Sequence, residues 1–259
     1  MKAKILPAAL AVLAVTAFAV RADSSVAFRP GVESSNITTD SGDYECSPAN
    51  AARWGFSNGY AKADAVVSPL LHLGFGPEID DSKKAWLGFT DVFGGASGQV
   101  PYGSTIKSAT LRVVLAHANR DAETKVEFHR ILNDGNAWFA GEAKTTWRYK
   151  DKAQEEKWQG AGSSDVEYLS QASSEDGSIG VFAASAPAGT VLDIDVTKTV
   201  AAWVAKAGGQ DANLGWSIWL GSEGANLVLG SPSHPKADHR PTLLVQFAAP
   251  AAQQPVGSP

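Results

Sequence analysis

The chain has 259 residues, 44% of them hydrophobic and 19% charged, with a formal charge of −5. That acidic balance argues against nucleic acid or anionic lipid as the main partner, since both need clustered Lys and Arg to displace counterions. Cys46 is the single cysteine, which excludes an intramolecular disulfide, so stability must rest on a core that a chain of this length can bury without covalent staples.

Residues 1–22 read as a secretory signal peptide. Lys2 and Lys4 precede an apolar run from Ile5 to Phe18, followed by small residues at Ala17, Ala19 and Ala22. Cleavage is expected after Ala22, with Ala19 as the competing site. The run falls short of the ~20 residues a spanning helix requires, and no later stretch reaches that length. The expectation is therefore an exported protein with no membrane span, secreted, periplasmic or at the cell surface.

From Asp23 to Phe247 we expect one domain. Residues 31–62 hold Cys46, Trp54, Phe56 and Tyr60 among Gly, Ser, Asn and Asp, and read as a loop-like insertion lying over the fold. Cys46 is expected to be a small buried residue, the alternative being an intermolecular or ligand-reactive thiol. Beyond the insertion the hydrophobic period is two: Leu111, Val113 and Leu115 alternate with Arg112, Val114 and Ala116, and Val126 and Phe128 with Lys125, Glu127 and His129. The same period returns at Leu192, Ile194, Val196, at Trp216, Ile218, Leu220 and at Leu243, Val245, Phe247. This pattern predicts an all-β fold, a two-sheet antiparallel β-sandwich of jelly-roll-like type. One short helix is expected after Val196, capped by Thr197 or Thr199, with Val200, Trp203 and Val204 on one face and Gly208-Gly209 at its end. Residues 248–259 lack periodicity and read as a disordered tail.

Five stretches, taken in order, resemble the DNRLRE domain family, secreted bacterial and archaeal β-sandwich modules that overlap carbohydrate-binding module family 96. They are Lys83 to Asp91; Pro101 to Val113, the strongest match; Trp138, Thr146-Trp147, Trp158 and Gly160 to Asp165; Asp193 to Val204; and Arg240-Pro241-Thr242-Leu243. Where many members carry Ser-Ser-Glu before the last strand, this chain has Ser231-Pro232-Ser233. The resemblance implies a β-sandwich of the kind that accompanies polysaccharide-degrading enzymes or surface proteins. It also implies packing roles for Trp138, Trp147 and Trp203; Trp216 joins them by its inward position on a strand.

The chemistry-bearing residues point to binding rather than catalysis. The five histidines are scattered, with no His-x-x-x-His pair, and no Gly-x-Ser-x-Gly elbow is present. Asp80-Asp81, Glu155-Glu156 and Glu175-Asp176 are adjacent acids in loops, whereas glycosidase carboxylates face each other across a cleft. No enzyme activity and no cofactor are expected. Asp193 and Asp195 share one strand face and, with oxygens such as those of Asp165 or Asp91, would make a calcium site; the alternative is that they are polar outward positions. Trp219 points opposite Trp216, and with Trp54 and Tyr60 it is a candidate platform for sugar rings, unless the insertion buries it. Arg112, Lys125, Glu127 and His129 would form either a charged strip suited to an acidic polysaccharide or a merely solvated face. The leading expectation is a non-catalytic module that binds polysaccharide at the cell surface or in the matrix. The alternative is a structural or adhesive surface protein that recognises another protein.

Overall fold

The computed structural model describes residues 23–31, 37–39, 42–46, 51–58, 68–74, 83–117, 122–132, 145–160, 166, 168–175, 177–205, 213–221 and 225–250. In chain order the strands are β1 (Ser24–Phe28), β2 (Ile37–Thr39), β3 (Gly42–Cys46), β4 (Ala51–Asn58), β5 (Leu70–Gly74), β6 (Lys83–Thr90), β7 (Thr105–Val114), β8 (Thr124–Arg130), β9 (Tyr149–Asp151), β10 (Glu156–Lys157), β11 (Ser178–Phe182) and β12 (Val191–Asp195). Helix α1 (Thr197–Ala205) follows, and then β13 (Trp216–Leu220), β14 (Asn226–Gly230) and β15 (Thr242–Ala248).

The expected all-β sandwich is present. One sheet has the order β12-β7-β15-β1-β3-β2, and the second has the order β11-β8-β13-β6-β5-β14 with β4 also paired to β6. Pairing is antiparallel except between β1 and β3, which run parallel. The strands form because their alternate residues have a shared interior to enter. Leu111, Val113, Ile194, Leu243 and Val245 from the first sheet meet Val126, Phe128, Trp216, Ile218 and Leu220 from the second in one core. Helix α1 packs against β7 and adds Val200, Trp203 and Val204 to that core. No helix among the described residues is long and apolar enough to cross a membrane.

The start of α1 differs from the sequence expectation. Asp195 Oδ1 accepts the Thr197 N–H at 2.9 Å, and the Thr197 hydroxyl instead accepts the Ala109 N–H at 2.9 Å, tying the helix to β7. The aspartate therefore does the capping expected of a threonine. Gly208-Gly209 lies outside the described residues.

Residues 31–62 are not a loop-like insertion. They contain β2, β3 and β4, and β4 pairs with β6 along its whole length, from Ala51 opposite Thr90 to Asn58 opposite Lys83. The strand ladder supplies the backbone partners that local composition gave no sign of. The side chain of Cys46, residues 1–22 with the expected signal peptide, and residues 251–259 lie outside the described residues. Ala248, expected in the tail, ends β15, and Ala249 packs against the core.

Part of the outward face of the second sheet is also buried. Trp147, Trp158, Leu169 and Ala172, from the segment that follows β8, cover Trp86 of β6 and Ile131 and form a second, smaller core. Trp158 Nε1 donates to the Thr146 carbonyl at 3.0 Å, so this indole is both enclosed and satisfied.

On one side the sandwich is closed by its two edge strands, β11 and β12. A side chain at Gly180 of β11 would lie 2.5 Å from Leu192 Cδ2 and 3.0 Å from Ile194 Cγ1, so a larger residue would require those side chains to shift. The Ser178 hydroxyl adds a hydrogen bond to the Asp195 carbonyl at 2.7 Å. The functional candidates lie on either side of this seam.

Candidate functional site

The sequence candidates divide between two sheets. Arg112 is on β7 of the first sheet, opposite Asp193 of β12, whereas Lys125, Glu127 and His129 are on β8 of the second. The expected single charged strip is therefore not formed. Arg112 Nε and Nη2 donate to the two Asp193 carboxylate oxygens at 2.7 and 2.6 Å, a bidentate pair that occupies both groups. Asp195 is engaged by Thr197, whose hydrogen bonds hold its carboxyl below the usual range, followed by the effect of Lys198 nearby. The two aspartates share a strand face, but their carboxylates serve a cross-strand ion pair and a helix start. Among the described residues no group of three or more His, Cys, Asp or Glu could hold a metal ion.

The aromatic candidates are also placed differently. Trp54 lies on β4 opposite Leu87, and its half-buried ring packs against the main core. It is a packing residue, not an insertion platform. Tyr60 lies outside the described residues, as do Trp138 and Asp165. Trp147, Trp203 and Trp216 are buried, in keeping with the packing expected of them.

Trp219, Lys125 and His129 do share the outward face of the second sheet. Trp219 stacks on the His129 ring with 3.8 Å between centroids and 11° between planes, and meets Trp147 edge-on at 5.8 Å. Its ring is thus a wall between two neighbours rather than an open platform. His129 is only 7% exposed. Its Nδ1 lies 2.8 Å from the Ser174 carbonyl, which can only accept, so Nδ1 carries a proton. Nε2 lies 3.0 Å from Glu127 Oε2. On the other side of Trp219 is Lys84 of β6, next to Ala85, which pairs with Ile218. Lys84 is 5% exposed, with its ammonium 5.9 Å from the Trp147 ring centre. Burial pushes its pKa down to about 8, against the opposing pull of Glu127. This enclosed cluster fastens the cover segment to the sheet; it presents no accessible nucleophile with a base beside it.

The open site lies just beyond. Ser174 donates its N–H to the Arg130 carbonyl at 2.8 Å and accepts the Arg130 N–H on its hydroxyl at 3.0 Å. This double tie fixes the end of β8, and Arg130 turns its side chain into a cleft of about 350 Å³ between the start of β11 and α1. Ser174, Gly177, Ser178, Asp195, Lys198 and Thr199 complete most of the lining. The half-buried Arg130 guanidinium makes no ion pair or hydrogen bond among the described residues, and Lys198 adds a second cation. The Asp195 carboxylate, held by Thr197, also lines the cleft beside Lys198, and the groups that can meet an anion are Arg130, Lys198 and the Thr199 hydroxyl. Such a set can seat a carboxylate or sulfate and orient neighbouring hydroxyls.

Sequence reasoning missed Arg130. It falls on the inward phase of β8, after Val126 and Phe128, where a charged residue at a strand end signals the mouth of the sandwich. Compared with known proteins, the chain matches no family model and no curated protein.

Proposed function

We propose that the protein is a non-catalytic exported module that binds polysaccharide outside the cell, seating an acidic sugar unit in the cleft between β11 and α1. The observation that carries this reading is the Arg130 guanidinium, half-buried without an ionic partner among the described residues and facing a cleft that also holds Lys198 and Thr199. A planar fork of N–H donors suits a carboxylate or sulfate bidentately, and hydroxyls beside it suit the rest of a sugar ring. The DNRLRE-like motif order supports the same class of function, because such modules accompany polysaccharide-degrading enzymes and surface proteins. The secretory character of residues 1–22 fits a ligand met outside the cell.

Binding isotherms with a polyuronate, a sulfated glycan and a neutral glucan, at low and high salt, test the proposal. Arg130→Gln is expected to weaken acidic-polymer binding about tenfold, with the difference shrinking as salt rises, while Lys125→Gln, far along β8 from the cleft, has little effect. A folded protein that binds none of the three polymers at either salt concentration would sink this reading. The second reading, a structural or adhesive surface protein, draws on the exposed apolar edge of β11.

A further inference from the structure

Four large hydrophobic residues are exposed among the described residues, and three of them lie on the two strands that close the seam. Ile179 and Val181 of β11 are 57% and 39% exposed, and Val191 of β12 is 49% exposed. Among the described residues β11 hydrogen-bonds to β8 on one side and pairs with no strand on the other, while β12 of the first sheet packs against it. Its five residues, Ser178-Ile179-Gly180-Val181-Phe182, contain no Lys and no Pro, the usual guards of a free edge. The apolar side chains of Ile179 and Val181 are therefore exposed beside an edge that carries none of these guards.

We propose that β11 pairs antiparallel with β11 of a second copy of this chain, about a two-fold axis at Gly180. The strand is self-complementary in that register. Ile179 of each copy lies opposite Val181 of the other, so both exposed apolar residues are covered twice over by one symmetric contact. The charges on the neighbouring strand are compatible with that register, though at about three strand spacings they bias it only weakly. Glu127 is beside Ile179 and Lys125 is beside Val181 on β8. Centred on Gly180, each row across the pair reads Glu127, Ile179, Val181, Lys125, with opposite charges at its ends. Centring on Ile179 would end its row in two Glu127 carboxylates, and centring on Val181 would end its row in two Lys125 ammoniums, each a like-charge arrangement. The long stems of Glu127 and Lys125 flank the apolar centre on the outward face. On the inward side Gly180 lies against Leu192 and Ile194, so the seam already supports the strand from below. Five residues bury less than the ~1,600 Å² of a standard interface, so the pair forms in the micromolar range or weaker.

The experiment combines cross-linking with sedimentation, using the mature chain in a Cys46→Ser background. Ile179→Cys with Val181→Cys in the same chain is expected to give a disulfide-linked dimer on mild oxidation, because the two positions face each other across the axis. Ile179→Cys alone is expected to give far less. Sedimentation from about 1 µM to 1 mM is expected to show a monomer–dimer equilibrium. Ile179→Lys with Val181→Lys is expected to weaken it about tenfold or more. Both lysines are at exposed positions, and an unchanged melting curve confirms that the variant is folded. A protein that stays monomeric throughout that range overturns the proposal. So does a dimer indifferent to the lysine pair, or one in which Ile179→Cys alone cross-links as well as the facing pair.

Discussion

The imidazole of His129 lies nearly parallel to the indole of Trp219, 3.8 Å away on the adjacent strand. A ring held in this way has little freedom to act as a ligand platform, and its removal has a structural cost. Trp219→Ala is expected to lower stability by about 2–4 kcal/mol in urea unfolding at neutral pH, because it strips packing from His129 and Trp147 together. A change within about 0.5 kcal/mol would move Trp219 to the surface, one of the two placements that the sequence left open.

Lys84 is expected to give stability an alkaline dependence. Its folded pKa, about 8, lies below the ordinary value of 10.5, so the unfolded chain binds more protons between those limits and stability rises with pH across that window. Below it, the cost of burying the charge is present in full, on the order of 3 kcal/mol. Lys84→Met keeps the stem and removes the charge. It is expected to stabilise the protein at pH 7 and to flatten the rise between about pH 8 and 10.5 in equilibrium unfolding. An unaltered slope would show that Lys84 reaches water as an ammonium.

Asp195 works in the opposite direction. Its folded pKa is depressed by Thr197, so its contribution is present above the unfolded carboxyl value and is lost as pH falls through the folded one. Asp195→Ala is expected to cost about 1 kcal/mol at pH 7, as other lost helix caps do, and nothing at a pH low enough to protonate the native carboxyl. Thermal melts at both pH values check this, and an equal loss at both would assign the effect to packing.

Gly180 tests the seam between β11 and β12. Gly180→Ala is expected to destabilise by about 1–3 kcal/mol, because the new methyl meets Leu192 and Ile194. A neutral result in denaturant unfolding would mean that the edges separate at little cost.

The inward faces of the strands were legible because period-two alternation depends only on near neighbours: Leu111, Val113, Trp216, Ile218, Leu243 and Val245 all entered the core as read. The outward faces were not, because what covers them is distant in sequence. Trp219 sits against a cover segment anchored by Trp147, and Asp193 is neutralised by an arginine 81 residues away on the neighbouring strand. Strand β4 was hidden for the same reason, since its Gly, Ser and Asn are poor strand formers and β6 provides its ladder. Arg130 obeyed the inward phase but not the inward polarity, and that disagreement is the mark of the cleft.

The antiparallel pairing of β1 with β15 sets Ser24 beside Phe247. The chain therefore enters and leaves the sandwich at one corner, and a pull on both ends would peel these strands apart rung by rung instead of shearing the whole ladder at once. A domain anchored by both ends would open at its hinge corner under tension, at far lower force than one loaded along its strands, a difference that single-molecule stretching would read directly. Tethered by one end only, the same corner carries no tension between its two strands.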